Sequence, residues 1–311
     1  MNTGLKRWQR VSRTVVLAAC VLVAGVTGLA GTAAAQEFSF LEPFGFADAR
    51  LMGMGYSHVA IWDAPNPLYS NPASFGLGKE KLVLSFGAGW ESRTDADDFK
   101  FIAVSDVDRG GGAGGFAWGQ YRWHEGEELF SSNTFNYAVG KRFAHWGALG
   151  VGLRYLKGSG VGNPEQVPSW RGLATDAGLV LKHEVISVGV VARDITVTQL
   201  AFDDGTTRTI APRYSCGLSL RLAPGAVLAV DAHGISTGGS GHEIFSGGFE
   251  GWLGPHLALR GGVIVGDGVD REARSYTGGI GLRFGDFEMS YALLTGADEV
   301  RKQCITLTRR F

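Results

Sequence analysis

The chain has 311 residues, 45% of them hydrophobic, and a formal net charge of -1. This length suffices for one large domain or two small ones, and the near-neutral charge without a basic run disfavours a nucleic-acid-binding protein. Glycine is the anomaly, because its 48 residues are roughly twice the usual ~7% share and stand among aliphatic and aromatic residues without a collagen period. The composition therefore indicates a β-rich protein in which glycine occupies turns and crowded inward positions.

Residues 1–35 have the pattern of an export signal. Four basic residues precede an apolar stretch over 15–31, and small residues at 33–35 supply a cleavage site before Gln36. We expect cleavage after Ala35, which removes the four basic residues and takes the net charge from -1 to -5. An uncleaved anchor and a lipoprotein cut before Cys20 are the two alternatives.

Alternating polarity dominates the sequence from Lys81 onward. Segments of about ten residues alternate and end in turn signals, as barrel strands require, although a soluble β-sandwich alternates too. In the first segment Leu84 and Phe86 would face lipid, while Ser85 and Gly87 would face the interior. We count about fourteen candidate strands, which begin near Lys81, Phe99, Gly112, Ser131, Gly147, Trp170, Glu184, Pro212, Ala226, Glu243, His256, Arg274, Asp286 and Arg301.

The links between these segments alternate in length. Short links such as 144–146, 223–225 and 254–255 are separated by longer polar ones such as 124–130, 157–169 and 195–211. Outer-membrane barrels have short periplasmic turns and longer outside loops, whereas a sandwich has no reason to segregate loop lengths. After residue 35 no run of the ~20 apolar residues that a membrane helix needs occurs, so a membrane-spanning form must be a closed barrel.

Residues 36–80 do not alternate and contain the most specific motif. Its members form a Gly-Met-Gly stretch, an Asp-containing segment and a Tyr-x-Asn-Pro-Ala motif: Gly53, Met54, Gly55, Asp63, Tyr69, Asn71, Pro72 and Ala73. This pattern resembles the FadL-like superfamily of outer-membrane proteins, and in particular its PorV/PorQ branch. The resemblance implies an all-β fold, a transmembrane antiparallel β-barrel of about fourteen strands with a short N-terminal plug segment in the lumen. We divide the chain into a signal peptide (1–35), a plug segment (36–80) and a barrel (81–311).

The motif residues have two interpretations. They either shape the plug, because Gly permits close backbone approach and Pro stops regular pairing, or they bind a ligand or gate the lumen. Charged residues at inward strand positions are also expected in the lumen: Lys100, Arg154, Asp176, Arg193, Arg213, Arg221, Asp231, His233, Glu250, Arg260, Arg283, Glu288 and Arg310. Both signs occur, so salt bridges and water explain them without a selectivity filter, which needs a ring of one sign.

Two further features have competing explanations. A run of glycines lies at the second short turn and the start of the third predicted strand: Gly110, Gly111, Gly112, Gly114 and Gly115. In FadL-type transporters a distorted third strand opens a sideways path through the barrel wall, so this run is a candidate lateral gate. A compact turn explains it equally well. Ile305, Leu307 and Phe311 share one face of the last strand. They resemble the C-terminal signal that the outer-membrane assembly machinery reads, although Arg309 interrupts the pattern.

Aromatic residues near strand ends suit either interfacial girdles or plain packing: Trp90, Trp123, Trp170, Trp252, Tyr155 and Tyr291. Cys216 and Cys304 are expected on opposite faces of the wall as free thiols. Ser240, His242 and Glu243 are sequence neighbours in a glycine-rich loop and make a poor relay. The sequence therefore predicts no catalytic residues, no metal site and no cofactor.

Two functions from different classes follow. The first is a docking or secretion-associated component of the bacterial outer membrane, as the PorV/PorQ branch is in type IX secretion, with secretion components or exported proteins as partners. The alternative is a FadL-like transporter of small hydrophobic molecules. In both, the expected partners include outer-membrane lipid and the assembly machinery, and nucleic acid is excluded.

Overall fold

The computed structural model describes residues 48–64, 66–78, 82–91, 98–106, 112–125, 128–161, 168–196, 198–235, 244–266, 274–296 and 300–311. A one-turn helix, α1 (Ala49–Gly53), and two 3-10 turns, Pro67–Tyr69 and Pro72–Gly76, precede sixteen strands. The strands are β1 (Leu82–Glu91), β2 (Asp98–Asp106), β3 (Ala113–Glu125), β4 (Glu128–Ala144), β5 (Gly147–Val161), β6 (Trp170–His183), β7 (Ile186–Arg193), β8 (Thr198–Phe202), β9 (Thr207–Ile210), β10 (Arg213–Ala223), β11 (Ala226–Ile235), β12 (Ile244–Leu253), β13 (Leu257–Gly266), β14 (Ser275–Phe284), β15 (Phe287–Thr295) and β16 (Val300–Arg310).

Fourteen of these strands close into an antiparallel barrel. Sequential neighbours pair from β1 to β7 and from β10 to β16, β7 pairs with β10, and the ring closes where β1 meets β16. The predicted fourteen-stranded fold is confirmed, and every predicted strand start lies within three residues of the observed one. Closure leaves no open edge in the ring, which is the condition for a sheet in hydrocarbon.

The alternation of burial follows the predicted faces. In β1, Phe86 and Trp90 are exposed on the outside, whereas Val83 and Ser85 are buried on the inside. Since large apolar side chains cover the outside, the outer surface suits lipid. Among the described residues, no helix is long and apolar enough to cross a membrane.

Five turns at one end of the barrel, which follow β4, β6, β10, β12 and β14, are two or three residues long. Gly225, Gly254 and Gly285 occupy three of them with φ of 87°, 65° and 58°, a left-handed conformation that glycine adopts without strain. At the other end the predicted loops differ from the structure. The 124–130 link is shorter than expected, because β3 and β4 continue to Glu125 and Glu128, and the 195–211 link contains the β8–β9 hairpin.

Strands β3 to β6 are longer than the rest, up to 17 residues in β4, where about 9–11 cross a membrane. Above β7, which has eight residues, β8 takes its place beside the first residues of β6. One side of the wall therefore rises beyond the other, at the end away from the tight turns.

Candidate functional site: a plugged lumen beneath an aromatic vestibule

The segment 48–78 lies inside the barrel. The Ala49 amide donates to Thr306 Oγ1 at 2.9 Å, and Thr277 Oγ1 donates to the Gly53 carbonyl at 3.1 Å. Most of its described residues are buried, α1 against β13 to β16 and the second 3-10 turn against β4 to β6. We call this segment the plug. It fills the lumen between opposite walls.

The wall carries glycine where the plug touches it. A Cβ added to Gly248 would lie 2.0 Å from the Met54 carbonyl oxygen, and one added to Gly150 would lie 2.2 Å from the Pro72 carbonyl carbon. The same addition at Gly189 would lie 2.0 Å from the Val59 carbonyl oxygen. No real Cβ tolerates such contacts, so inward glycines explain much of the glycine excess. We call these positions the glycine footprint.

The Gly-Met-Gly motif seats the first half of the plug. A Cβ on Gly53 would lie 3.2 Å from the Gly279 Cα, and Gly55 has a φ of 63° with the wall against it. Met54 is fully buried and packs in a cluster with Ile61 of the plug and Val227 of the wall. Close approach and a positive φ thus favour glycine strongly at position 55, and a tight contact with the wall favours it at position 53.

Asn71 ties the second half of the plug to its first half and to β6. Its amide nitrogen donates to the carbonyl oxygens of Val59 at 2.9 Å and Leu179 at 3.2 Å, and its amide oxygen accepts from Ala73 N at 3.0 Å. Pro72 begins the 3-10 turn that this contact caps. The Asn-Pro-Ala motif is therefore an anchor for the plug backbone.

Two other motif residues are placed by the same packing. Tyr69 is buried edge-on against Phe101 with ring centroids 5.3 Å apart, and burial raises the pKa of its hydroxyl. Asp63 pairs with Arg221 at 2.7 Å and is about one-third exposed.

A charged network joins α1 to the wall near the tight turns. Arg50 makes two 2.8 Å hydrogen bonds to Glu250, which also accepts from Arg260 at 2.7 Å. Burial alone would lower the pKa of Arg50, but Glu250 and Asp63 outweigh it and raise that pKa above its ordinary value. This network flanks a cleft of about 690 Å³ at the tight-turn end, lined by four arginines: Arg50, Arg221, Arg283 and Arg310.

A second network lies where β7 ends. Arg154 pairs with Asp176 and Asp194, each at 2.8 Å, and Arg213 pairs with Asp194 at 3.1 Å. Asp194 has a φ of 58°, which is unusual for a residue with a side chain and is held here by these contacts. Burial would raise the pKa of Asp194, but Arg154 and Arg213 outweigh it and keep that pKa below its usual value.

Asp231, on β11 beside β10, holds the plug backbone from the neighbouring part of the wall. Its carboxylate accepts from the amides of His58 and of Val59, the latter at 2.8 Å. The His58 and His233 rings lie 5.6 Å apart, and His58 Nδ1 is buried without a hydrogen-bond partner in the described part of the chain. Burial first, then His233 and Arg193, holds the pKa of His58 well below its ordinary value.

The structure places the other predicted residues as follows. Arg193 donates to the carbonyl oxygens of Tyr69 and Ser70, and Glu288 accepts from guanidinium groups on three strands: Arg260, Arg283 and Arg310. Lys100 is a correction, because it is exposed on the outer face with Ile102, while Phe101 points inward. The shift by one residue reverses its face.

The candidate gate glycines lie in or beside β3. Gly114 and Gly115 pair with both neighbouring strands without a register shift, so the third strand is regular from this point. A Cβ on Gly115 would lie 2.8 Å from the Phe75 ring, so this glycine makes room for the plug. Gly112 precedes β3 with open space around it, and Gly110 and Gly111 lie outside the described residues.

The C-terminal residues lie on the outer surface. Ile305 and Leu307 are exposed, and the Arg309 guanidinium carbon lies 4.3 Å from the centroid of the Phe311 ring. Cys304 is buried on the inner face, and Cys216, the other described cysteine, is also a free thiol. The signal peptide falls outside the described residues.

The polarity of the outer and inner faces of the wall reverses along the long strands β3 to β6. Near the tops of β3 to β6 the outer face carries Gln120, Asn133 and Lys157, while Trp123, Phe130 and Trp170 point inward. Trp123 stacks between Tyr121 and Phe130, with ring centroids 5.5 and 5.3 Å apart. We call this inner cluster, completed by the buried side chains of Leu156, Leu200 and Ile210, the aromatic vestibule.

Sequence reasoning missed the vestibule, because it left Trp123 and Trp170 between an interfacial girdle and plain packing and did not place them together on the inner face. The alternation of β3 could have indicated the face of Trp123, because Trp123 and the buried Ala117 are six residues apart and so lie on the same side of the strand. The β8–β9 hairpin, which covers Trp170, had no such signal since it lies within a predicted loop.

Solved structures share this architecture. The chain is similar to the toluene transporter TbuX of Ralstonia pickettii, with a TM-score of 0.65 and 11% identity over 86% of this chain and 99% of that one. The P. putida toluene transporter TodX gives the same four values. A Pseudomonas aeruginosa FadL homologue has a TM-score of 0.61 and 11% identity over 85% and 98%. The chain has the fold of FadL-type transporters.

This likeness is one of fold. No family model matches the sequence, and no curated protein matches it. The PorV/PorQ branch inferred from the Gly-Met-Gly and Asn-Pro-Ala motifs stays a prediction.

Proposed function

We propose that this protein is a bacterial outer-membrane channel that takes up small hydrophobic molecules, which enter through the aromatic vestibule and pass the plug. The observation that carries the proposal is the reversal of polarity near the tops of β3 to β6, where polar side chains lie outside and aromatic ones inside. An apolar cluster turned inward there, behind a polar outer face, is placed to receive a hydrophobic molecule between its side chains. The similarity to two toluene transporters supports the same function.

The position of the tight turns supports uptake from the outside toward the periplasm. Outer-membrane barrels have tight turns on the periplasmic side, so the vestibule would face outside and the charged cleft would face the periplasm. An export signal over 1–35 fits this location.

Uptake of radiolabelled toluene by cells that lack their own FadL-type transporter tests the proposal. Cells that produce the chain should accumulate toluene faster than cells with an empty vector, whereas a Trp123→Ser/Trp170→Ser variant should lose most of the gain. The matched control is Trp146→Ser, an exposed tryptophan in the tight turn between β4 and β5. Equal uptake with and without the chain would overturn the proposal.

A docking role in secretion is the second candidate, and the filled lumen favours it because a docking barrel needs no open path. Affinity purification from native outer membranes separates the two roles. Recovery of secretion components together with no toluene uptake would favour docking.

A further inference from the structure

The outer wall carries a row of cross-strand neighbours at which its surface turns from apolar to polar. In strand order from β2 to β6, the row is Lys100, Gln120, Asn133, Lys157 and Arg171, each directly opposite the next. The adjacent row on the tight-turn side is Ile102, Trp118, Phe135, Tyr155 and Leu173. Since five strands change polarity at the same row, it marks the upper limit of the lipid-covered surface.

The basic members of this row have no acidic partner in the part of the chain that the structure describes. Lys100, Lys157 and Arg171 are exposed and form no ion pair within the described residues, in contrast to Arg122, which pairs with Asp98 on the same outer face. Lys157 and Arg171 stand directly opposite each other across β5 and β6. Like charges in this arrangement repel, with Cβ atoms about 4.5–5.5 Å apart, so the pair gains from an anion bound between its head groups.

We infer that this row binds the phosphate groups of the outer-leaflet glycolipid, with Lys157 and Arg171 as the central clamp. The inference rests on the outer-membrane location in the proposed function but not on what the barrel transports. A guanidinium group offers two parallel N–H donors to a phosphate, and the neighbouring ammonium adds a point charge. The aromatic side chains of Trp118 and Tyr155, one row lower, lie where acyl chains of the same lipid would begin.

Binding of lipid A to the purified full chain in neutral detergent with EDTA tests the inference. The parent protein should bind bisphosphorylated lipid A at least about tenfold more tightly than dephosphorylated lipid A, a difference of roughly 1.4 kcal/mol. The double variant Lys157→Gln/Arg171→Gln should lose this difference. Both side chains are exposed, and heat-modified gel mobility checks that the barrel has folded.

Lys141→Gln is the matched control, because Lys141 is also exposed on the outer face of the long-strand wall but lies at the tight-turn end. It should bind lipid A as the parent does. Equal binding of the two lipids, or parental affinity in the double variant, would overturn the inference. So would full displacement by inorganic phosphate at the concentration of the lipid, because the site would then recognise free phosphate. The assay involves no transport, so a failure of toluene uptake leaves its result intact.

Discussion

Individual residues hold the plug through contacts with one part of the wall, where β6, β7, β10 and β11 lie side by side. Asn71 binds the wall of β6, whereas Asp231 on β11 binds the amides of His58 and Val59. The sequence motif pointed to Asn71, because an Asn before Pro favours an extended conformation and a local cap. Nothing in the sequence indicated that Asp231 would receive plug amides, since that contact depends on a partner 173 positions away.

Replacement of Asn71 by Ala should loosen the plug. The carbonyl groups of Val59 and Leu179 and the amide of Ala73 would each lose a hydrogen-bond partner, at a cost of about 1–3 kcal/mol. We expect faster proteolysis within 48–78 and larger current fluctuations in planar bilayers, with an unchanged barrel on gels. Asn71→Asp keeps the acceptor for Ala73 N but loses the donors, so it should show the same defect. A parental current in both variants would contradict the anchor role.

Stability should fall in mild acid because of His58. Its folded pKa lies below that of the unfolded chain, so the unfolded chain binds more protons and stability decreases as pH falls below about 6.5. The charged or titratable groups facing it are His233, Asp231 and Arg193. The free energy of unfolding from urea titrations should decline by roughly 1 kcal/mol between about pH 7.5 and 5.5 in the parent, and by less in His58→Gln. A decline of the same size in the variant would assign the effect to another group.

At the scale of elements, the wall strands are shaped to receive the plug. Period-two alternation predicted the strands and their faces, because one side must meet lipid. It could not predict which inward glycines face the plug, since that depends on how the plug folds across the lumen. The excess of glycine was visible in the composition, but its arrangement as a footprint was not.

Gly248→Ala should displace the plug, while Gly278→Ala should not. A Cβ at Gly248 would collide with the Met54 carbonyl, whereas one at Gly278 meets nothing within 4 Å. Overpacking of this kind costs about 1–3 kcal/mol. Thermal unfolding of the two folded variants should show a lower midpoint for Gly248→Ala alone. Identical midpoints would mean that the plug has room to move aside.

At the scale of the whole molecule, the barrel and the vestibule are separable. The ring closes through β1 and β16 without the β8–β9 hairpin, which only extends the wall above β7. Loop-length alternation predicted the ring and its two ends. The polar composition of 195–211 predicted a plain loop and so concealed the hairpin.

Deletion of residues 199–209 with a short Gly-Ser link should leave the ring folded and remove toluene uptake. Leu200 and Ile210 pack beside Trp170, so the deletion exposes the vestibule to water and weakens capture. Heat-modified gel mobility should remain parental while the uptake rate falls to that of the empty vector. Undiminished uptake would show that the vestibule is not the entrance.

The glycine footprint has a consequence for exchange between relatives. A plug transplanted alone from another barrel of this fold would meet inward side chains that its own backbone path does not match. The plug and the facing wall positions therefore form one inherited unit, and chimaeras that move them together are the ones expected to assemble.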